Sequence, residues 1–508
     1  MPRNILLITT DQQRFDALGC NGGQFAKTPN IDKLAAEGLN FTQARNQSTV
    51  CMPARSTILT GQSIRRHGVT SNGIPLPPEE PNLAHYLKSH GYKTALLGKA
   101  HFEPHAGKTF FENTAAGENN TGPHRGFDRM ELCGHTGRAG RSLFHYPKWL
   151  AETHPGDVEG FHEYAVAGKP SNAGWTRTGA PQVAHNPIPI EHYHTHWTAA
   201  RTIDWLGRLD EHDDWFCWMS FPDPHHPWDP PAEAAARFNW RDLPMPDGYP
   251  GSRDACIKIL ENKPRHWLQW YLGEARFNFE VPPAYVPAQT TADQIREVNA
   301  MVHAENELID DAVGRVMDYL QMRGWSEETD IFFTTDHGEL QGDFGMLFKG
   351  PYHIEALMHV PFIWRPAPAA GIAPAIMDQA AGHMDLAPTM VTIAGADVPE
   401  WMQGQALPTQ TDAAHRDHTT TEWIDSWEGN DVVLETLAQD GWVITAYGET
   451  NFYTGEEGEL YRLSDDPKQW NNLWDDLDHA SVKSDLLAEL KDRLPAGRPN
   501  ALDKVAPV

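Results

Sequence analysis

PNLAHYLKSHGYKTALLGKAHF, residues 81–102, reads as a helix, a stop at Gly91 and a short apolar strand, TALLG, that delivers Lys99 and His101. The plan returns in WTAARTIDWLGRLDEHDDWFCWMSFPDPHHPW, residues 197–228: helix 197–209, strand 215–221, then a loop carrying His225 and His226. Its longest version starts at 294–322, where Ile295, Val298, Val302, Ile309, Val313, Val316 and Leu320 recur at helical steps. Gly324 ends that helix, and DIFFTTDHGE (330–339) is a strand running into Asp336 and His337. NILLITT (4–10) is a buried strand ending at Asp11, and TPNIDKLAAEGLNF (28–41) a short helix stopped by Gly38. HVPFIWR (359–365) adds a strand and MDLAPTMVTIAG (384–395) a closing helix.

Helices alternating with apolar strands predict an α/β fold with a large, mostly parallel central sheet. Asp11, Lys99, His225 and Asp336 all fall at or just after the C-terminal end of such a strand. In open α/β sheets that edge is where ligands bind, so these four residues are expected to share one site.

Residues 103–196, rich in Gly, His, Asn and Pro, read as long loops over that edge. Beyond a break near 399, VVLETLAQ, GWVITAY, GELYRL and a helix at 480–494 suggest a smaller antiparallel α+β domain. The expected division is 1–398 and 399–508, since 508 residues exceed one ordinary core. A net charge of −28 argues against nucleic acid or an anionic membrane as partner. An anionic substrate would therefore need a local cluster of cations or a metal.

The five cysteines are scattered, odd in number and without a CxxC pair, which suits reduced thiols in a cytoplasm. MPRNILLITTDQQ has too short an apolar run for a signal peptide, and no stretch approaches the ~20 apolar residues of a membrane span. The expectation is a cytoplasmic protein with no membrane partner; homo-oligomerisation stays open.

In STVCMPARSTILTG (48–61), Cys51 precedes Pro53 by two residues and Arg55 by four, at the start of a helix. The plain reading is a small core residue; the sharper one is a nucleophile. CMPAR followed by STILTG resembles the C-x-P-x-R motif of the type I sulfatases, in the alkaline phosphatase superfamily. In that family a maturation enzyme oxidises the cysteine to Cα-formylglycine. The family's other motifs follow in order: LLITTDQ with Asp11, GKAHF with Lys99 and His101, PHHP with His225, TTDHGE with Asp336 and His337, LFKG with Lys349, and GELYRLSDDPKQWNNL near the end. The resemblance covers nearly the whole chain outside 103–190 and 230–290.

It implies hydrolysis of a small-molecule sulfate monoester, arylsulfatase-like. A hydrated aldehyde at position 51 would offer two geminal hydroxyls, one to attack sulfur and one to expel the product. One divalent metal would be held by Asp11, Gln12, Asp336 and His337. Calcium is typical of the family. Here Gln12 and His337 stand where relatives often carry aspartate and asparagine, and the imidazole brings in manganese as the alternative. Arg55 would orient the hydrate, and Lys99 and Lys349 would surround the sulfuryl oxygens. His225, with Lys349 nearby, would be the general acid and His101 the base. His226 competes with His225, and the H-x-P pattern points to His225.

Relatives with the same formylglycine hydrolyse phosphonate monoesters or phosphodiesters, so that reaction, or activity on both classes, is the alternative; the Lys-x-His pair of GKAHF favours sulfate. A two-metal phosphatase is disfavoured because Lys99 and Lys349 would repel a second cation. A non-catalytic binding protein is disfavoured because every reacting residue is present. Trp228 is the best aromatic candidate for a pocket wall. Trp267, Trp270 and Tyr271 are further candidates, and His105, His124 and His135 could reach the substrate.

Overall fold

The computed structural model describes residues 3–105, 110–135, 144–157, 176–278 and 280–506. Twelve strands are described: β1 (Asn4–Thr10), β2 (Leu39–Arg45), β3 (Lys93–Gly98), β4 (Arg129–Leu132), β5 (Trp215–Ser220), β6 (Thr329–Thr335), β7 (Phe362–Arg365), β8 (Ala375–Gly382), β9 (His418–Trp427), β10 (Asn430–Gln439), β11 (Trp442–Tyr447) and β12 (Gly458–Arg462). The first eight form one sheet in the order β4-β3-β5-β1-β6-β7-β2-β8. Every pairing in it is parallel except those of β7, which runs against both β6 and β2.

Burial on both faces explains the near-continuous apolar character of the central strands. Alternate residues of β1 point to opposite sides. Leu6 and Ile8 join a cluster with Ile309, Val313 and Val316 of the helix Ala292–Met322 and Leu206 of the helix His194–Leu206. Ile5 and Leu7 join a second cluster with Leu59 of Cys51–Thr60, Leu87 of Leu83–Ser89 and Met390 of Leu386–Ile393. The sheet is thus sandwiched between two helical layers. The helix Ala292–Met322 begins in a capping box, Thr291 with Gln294, that satisfies its first amides.

The strands carrying the candidate residues are neighbours, β3-β5-β1-β6, all parallel and in step. Gly98 pairs with Ser220, Ser220 with Thr9 and Thr10 with Thr335, so Lys99, Asp11 and Asp336 emerge at one level. At Gly98 the backbone takes φ +108°, and a Cβ would lie 1.8 Å from the Ser220 carbonyl oxygen. Gly98→Ala is expected to cost about 2–4 kcal/mol through strain and lost pairing, read as a lower thermal midpoint.

Several elements differ from the sequence reading. The helix expected over 28–41 spans Pro29–Ala36, and Leu39 already opens β2. In the first turn of that helix Asn30 donates its backbone and side-chain N–H groups to Asp310. β2, β8 and β9 were not foreseen, because LNFTQAR, AIMDQAAG and HTTTEWIDSW mix polar residues into their patterns. Residues 103–196 are not all loop where described: they hold the edge strand β4 and the helix His145–Thr153. The rest of that expectation lies partly outside the described residues.

β12-β11-β10-β9 form a separate antiparallel sheet. The helix Ala480–Arg493 covers it, placing Leu486 and Leu490 on Leu437, Ile444 and Leu460. β9 also reaches back to the chain just before Cys51. The Glu422 amide donates to the Gln47 carbonyl at 3.0 Å, and the Thr421 hydroxyl to the Asn46 carbonyl at 2.6 Å. Among the described residues no helix is long and apolar enough to cross a membrane.

Candidate active site

Cys51 is the first residue of the helix Cys51–Thr60 and is fully buried. Pro53 sits in the first turn, where its missing N–H costs nothing, so the motif begins a helix without breaking it. The helix N-terminus therefore points its positive end at the carboxyl edge of the sheet. Three elements converge there: Asp11 follows β1, Asp336 and His337 follow β6, and Arg55 lies one turn along the helix.

The carboxylates divide their oxygens. Asp11 Oδ2 is paired with Lys99 Nζ and lies 3.4 Å from Arg55 Nη2, while Asp336 Oδ2 accepts from Arg55 Nε at 2.8 Å. Their Oδ1 atoms lie 4.0 and 3.8 Å from His337 Nε2. Asp336 Oδ1 also accepts the backbone N–H groups of Gln12 and His337, at 3.0 and 2.9 Å. Arg55 is anchored further by the Lys99 carbonyl at 3.0 Å and Ser220 Oγ at 2.8 Å. Ser220 was not foreseen; it is the polar terminus of an otherwise apolar strand.

His337 Nδ1 donates to the Gly338 carbonyl at 2.9 Å, so Nε2 presents a lone pair toward Cys51 Sγ, 3.1 Å away. Burial brings this imidazole down to about 4, keeping it neutral. Burial works against the Asp11 carboxylate, but Lys99, His225 and Arg55 hold it well below the usual range. Burial, and then Asp11, push the Cys51 thiol up.

Two oxygens and one imidazole nitrogen facing one another within 4.8 Å, with the Cys51 sulfur, form a donor set that fits a divalent cation. Octahedral oxygen ligands at ~2.4 Å stand about 3.4 Å apart, so a small inward movement would complete the site. Gln12 is beside this set with φ +66°, but its side-chain oxygen accepts from Lys349 at 3.0 Å and its amide donates to Glu339.

The profile of the sulfatase family matches residues 3–396, and that of the N-sulphoglucosamine sulphohydrolase C-terminal region matches 342–495. The chain belongs to the sulfatase family. It is 27% identical over 495 residues to an arylsulfatase of Clostridium perfringens, covering 93% of this chain and 90% of that one. It is 26% identical over 515 residues to the multifunctional alkaline phosphatase superfamily protein PehA of Trinickia caryophylli, covering 95% and 93%. Among solved structures, it superposes with TM-score 0.77 on the phosphonate monoester hydrolase of Agrobacterium radiobacter, at 25% identity over 97% of this chain and 96% of that one.

In this sulfatase Lys349 Nζ donates to His225 Nε2 at 2.9 Å, and His225 Nδ1 donates to the His226 carbonyl. Burial and then Lys349 lower His225. His101 lies beyond the end of β3 with φ +61°. Among the described residues neither of its ring nitrogens has a hydrogen-bond partner, and burial, His105 and Lys99 keep it well below its ordinary value.

The imidazoles form a wall. His101 stacks on His105 with centroids 3.9 Å apart, His105 lies 6.0 Å from His135, and His135 stacks on His225 at 4.1 Å. His124 points elsewhere, stacking on Phe111 and facing Glu103. Trp228 is buried behind the site, stacked on Phe348. Trp267, Trp270 and Tyr271 belong to a core cluster shared with the C-terminal sheet.

Sequence reasoning missed Glu280. Its carboxylate lies 2.5 Å from Lys349 Nζ and 3.5 Å from His225 Nε2. It comes from the irregular 230–290 stretch, where neither periodicity nor motif singled it out.

Proposed function

We propose that this sulfatase hydrolyses sulfate monoesters in an arylsulfatase-like reaction, with residue 51 acting as Cα-formylglycine beside one divalent cation. The observation that carries the reading is the position of Cys51. It heads a buried helix 3.1 Å from His337, beside Asp11, with Lys99 and Lys349 as its positive neighbours. Because the side chain is fully enclosed, a formylglycine-generating maturation enzyme would have to act before the chain folds.

The hydrated aldehyde would supply two hydroxyls on one carbon, one to take the sulfuryl group and one to release it. Asp11, Asp336 and His337, with Gln12 beside them, would hold the cation, which supplies Lewis acidity. Calcium suits the carboxylates, with manganese the alternative because of the imidazole.

The other side chains bind, orient and move protons. Lys99 and Lys349 hold the sulfuryl oxygens, and their burial makes fixed charge count more. Arg55, locked by Asp336 and Ser220, fixes the orientation of residue 51. With Nδ1 committed to the His226 carbonyl, His225 shares its Nε2 with Lys349, and this pair holds the proton for the leaving oxygen. His101, neutral and unpartnered, accepts a proton from the second hydroxyl. Residues 1–398 form the catalytic unit in this reading and 399–508 the smaller subdomain, whose β9 braces the approach to Cys51.

The likeness to the Agrobacterium radiobacter structure supports a second reading, hydrolysis of phosphonate monoesters or phosphodiesters, alone or beside sulfate esters. The pair Lys99 and His101 favours sulfate. The test is kcat/KM for an aryl sulfate, an alkyl sulfate, an aryl phosphonate monoester and a phosphodiester. The sulfates are expected to lead by about tenfold or more. A phosphonate monoester turned over faster than both sulfates would install the second reading.

A further inference from the structure

Glu280 is built into the site rather than draped over it. Asn72 Nδ2 donates to its Oε1 at 3.3 Å, and Asn72 Oδ1 in turn accepts from the Met52 backbone N–H at 3.0 Å, in the first turn of the Cys51 helix. On the other side Gln182 Nε2 donates to the Glu280 carbonyl at 3.2 Å, and Gln182 Oε1 accepts from His226 Nδ1 at 2.7 Å. The Glu280 amide donates to Asn278 Oδ1 at 2.9 Å, and Asn278 Nδ2 donates to the Lys349 carbonyl. Three separate segments therefore hold this one carboxylate against Lys349, His225 and His226.

The arrangement leaves one acceptor without a donor. His226 spends Nδ1–H on Gln182, so Nε2 is a lone pair; it has no hydrogen-bond partner and lies 3.8 Å from Glu280 Oε2. His226 is 3% exposed, so bulk water does not satisfy its Nε2. Burial works against the Glu280 carboxylate, but Lys349 and His225 hold it well below the usual range, so it is an anion at neutral pH. Its pairing with Lys349 takes up positive charge that would otherwise face the sulfuryl group, a cost that a donor or cation arriving with the substrate offsets.

We propose that Glu280, with His226 Nε2, is a specificity site for a protonated amine on the leaving group, close to the ester oxygen. The inference rests on the sulfate monoester reading above. Lys349 and His225 face the leaving oxygen in that reading, and Glu280 Oε2 touches both. The first atoms beyond the ester oxygen therefore pass beside it. An ammonium there donates N–H to Glu280 Oε2 and His226 Nε2 together. A carboxylate there meets a like charge.

The test compares wild type, Glu280→Gln and Glu280→Asp on 2-aminoethyl sulfate, n-propyl sulfate and carboxymethyl sulfate, with an aryl sulfate as reference. Dividing each variant's kcat/KM by the wild-type value for the same ester cancels differences in leaving-group chemistry. Whatever Glu280→Gln does to all esters through Lys349 and His225, it is expected to lower the aminoethyl-to-propyl ratio of kcat/KM on the order of ten- to a hundredfold and to raise the carboxymethyl-to-propyl ratio. Glu280→Asp keeps the wild-type order of preference. Equal factors on all three esters overturn the proposal, as does a wild type active on the aryl sulfate that does not prefer the aminoethyl ester over the propyl ester. A wild type inert toward every sulfate ester overturns the underlying reaction instead, and this proposal with it.

Discussion

Replacing Cys51 by alanine is expected to remove at least about 10⁴-fold of kcat/KM while leaving the fold intact, a loss of ~5.5 kcal/mol of transition-state stabilisation. The size follows from what the change leaves behind. In the proposed reaction Lys99, Lys349 and Arg55 would still gather a sulfate ester, but the group that takes the sulfuryl from it is gone. The fold should survive because Sγ makes only two weak polar contacts, to His337 and Asp11, and alanine suits the helix that begins there. Unchanged circular dichroism and a thermal midpoint near wild type would confirm this. Cys51→Ser is the more searching variant: its hydroxyl can still donate to His337, but it cannot be oxidised to the aldehyde by the same route. It should be nearly as inactive as the alanine variant, and the wild-type peptide containing residue 51 should carry the mass of an aldehyde. Substantial turnover by the alanine protein would refute residue 51 as the nucleophile.

What the sequence disclosed about this site follows from how local each signal is. Asp11, Lys99, His225 and Asp336 were legible because strand ends are marked by the place where an apolar run stops, and in a parallel sheet those ends must gather at one edge. The side-chain division of labour was not legible. Nothing in GKAHF says that Lys99 is paired with Asp11, or that His101 leaves the strand at positive φ. Gln12 was assigned to the metal by the family resemblance, whereas its side-chain oxygen faces Lys349, a contact between residues 337 apart in the chain. The fold shows the same limit. Core strands such as ILLI and IFF declare themselves, and so does β7, though its direction depends on a distant partner; β8, half-exposed at the sheet edge, does not. Glu280 is the extreme case. It carries no periodic or motif signal, and its meaning comes entirely from three segments that converge on it.

His225→Ala is expected to penalise poor leaving groups far more than good ones: about 10³-fold for alkyl sulfates, and no more than about tenfold for a nitrophenyl sulfate. A nitrophenolate departs without help, whereas an alkoxide must be protonated as the S–O bond breaks, so the acid matters in proportion to the basicity of the leaving oxygen. The geometry makes the prediction specific to His225. Its Nε2 faces Lys349 at 2.9 Å, whereas His226 turns Nδ1 away to Gln182 and its Nε2 touches neither Lys349 nor residue 51 by any hydrogen bond. A plot of log kcat/KM against leaving-group pKa should therefore steepen in the His225 variant and keep its wild-type slope in His226→Ala. Lys349→Ala should steepen it too, and the double variant should lose much less than the product of the single losses, because one shared proton is removed only once. A parallel drop across the whole series in His225→Ala would mean that the imidazole holds the substrate without protonating it. The acid would then be sought in Lys349 itself, the cation already hydrogen-bonded at that nitrogen.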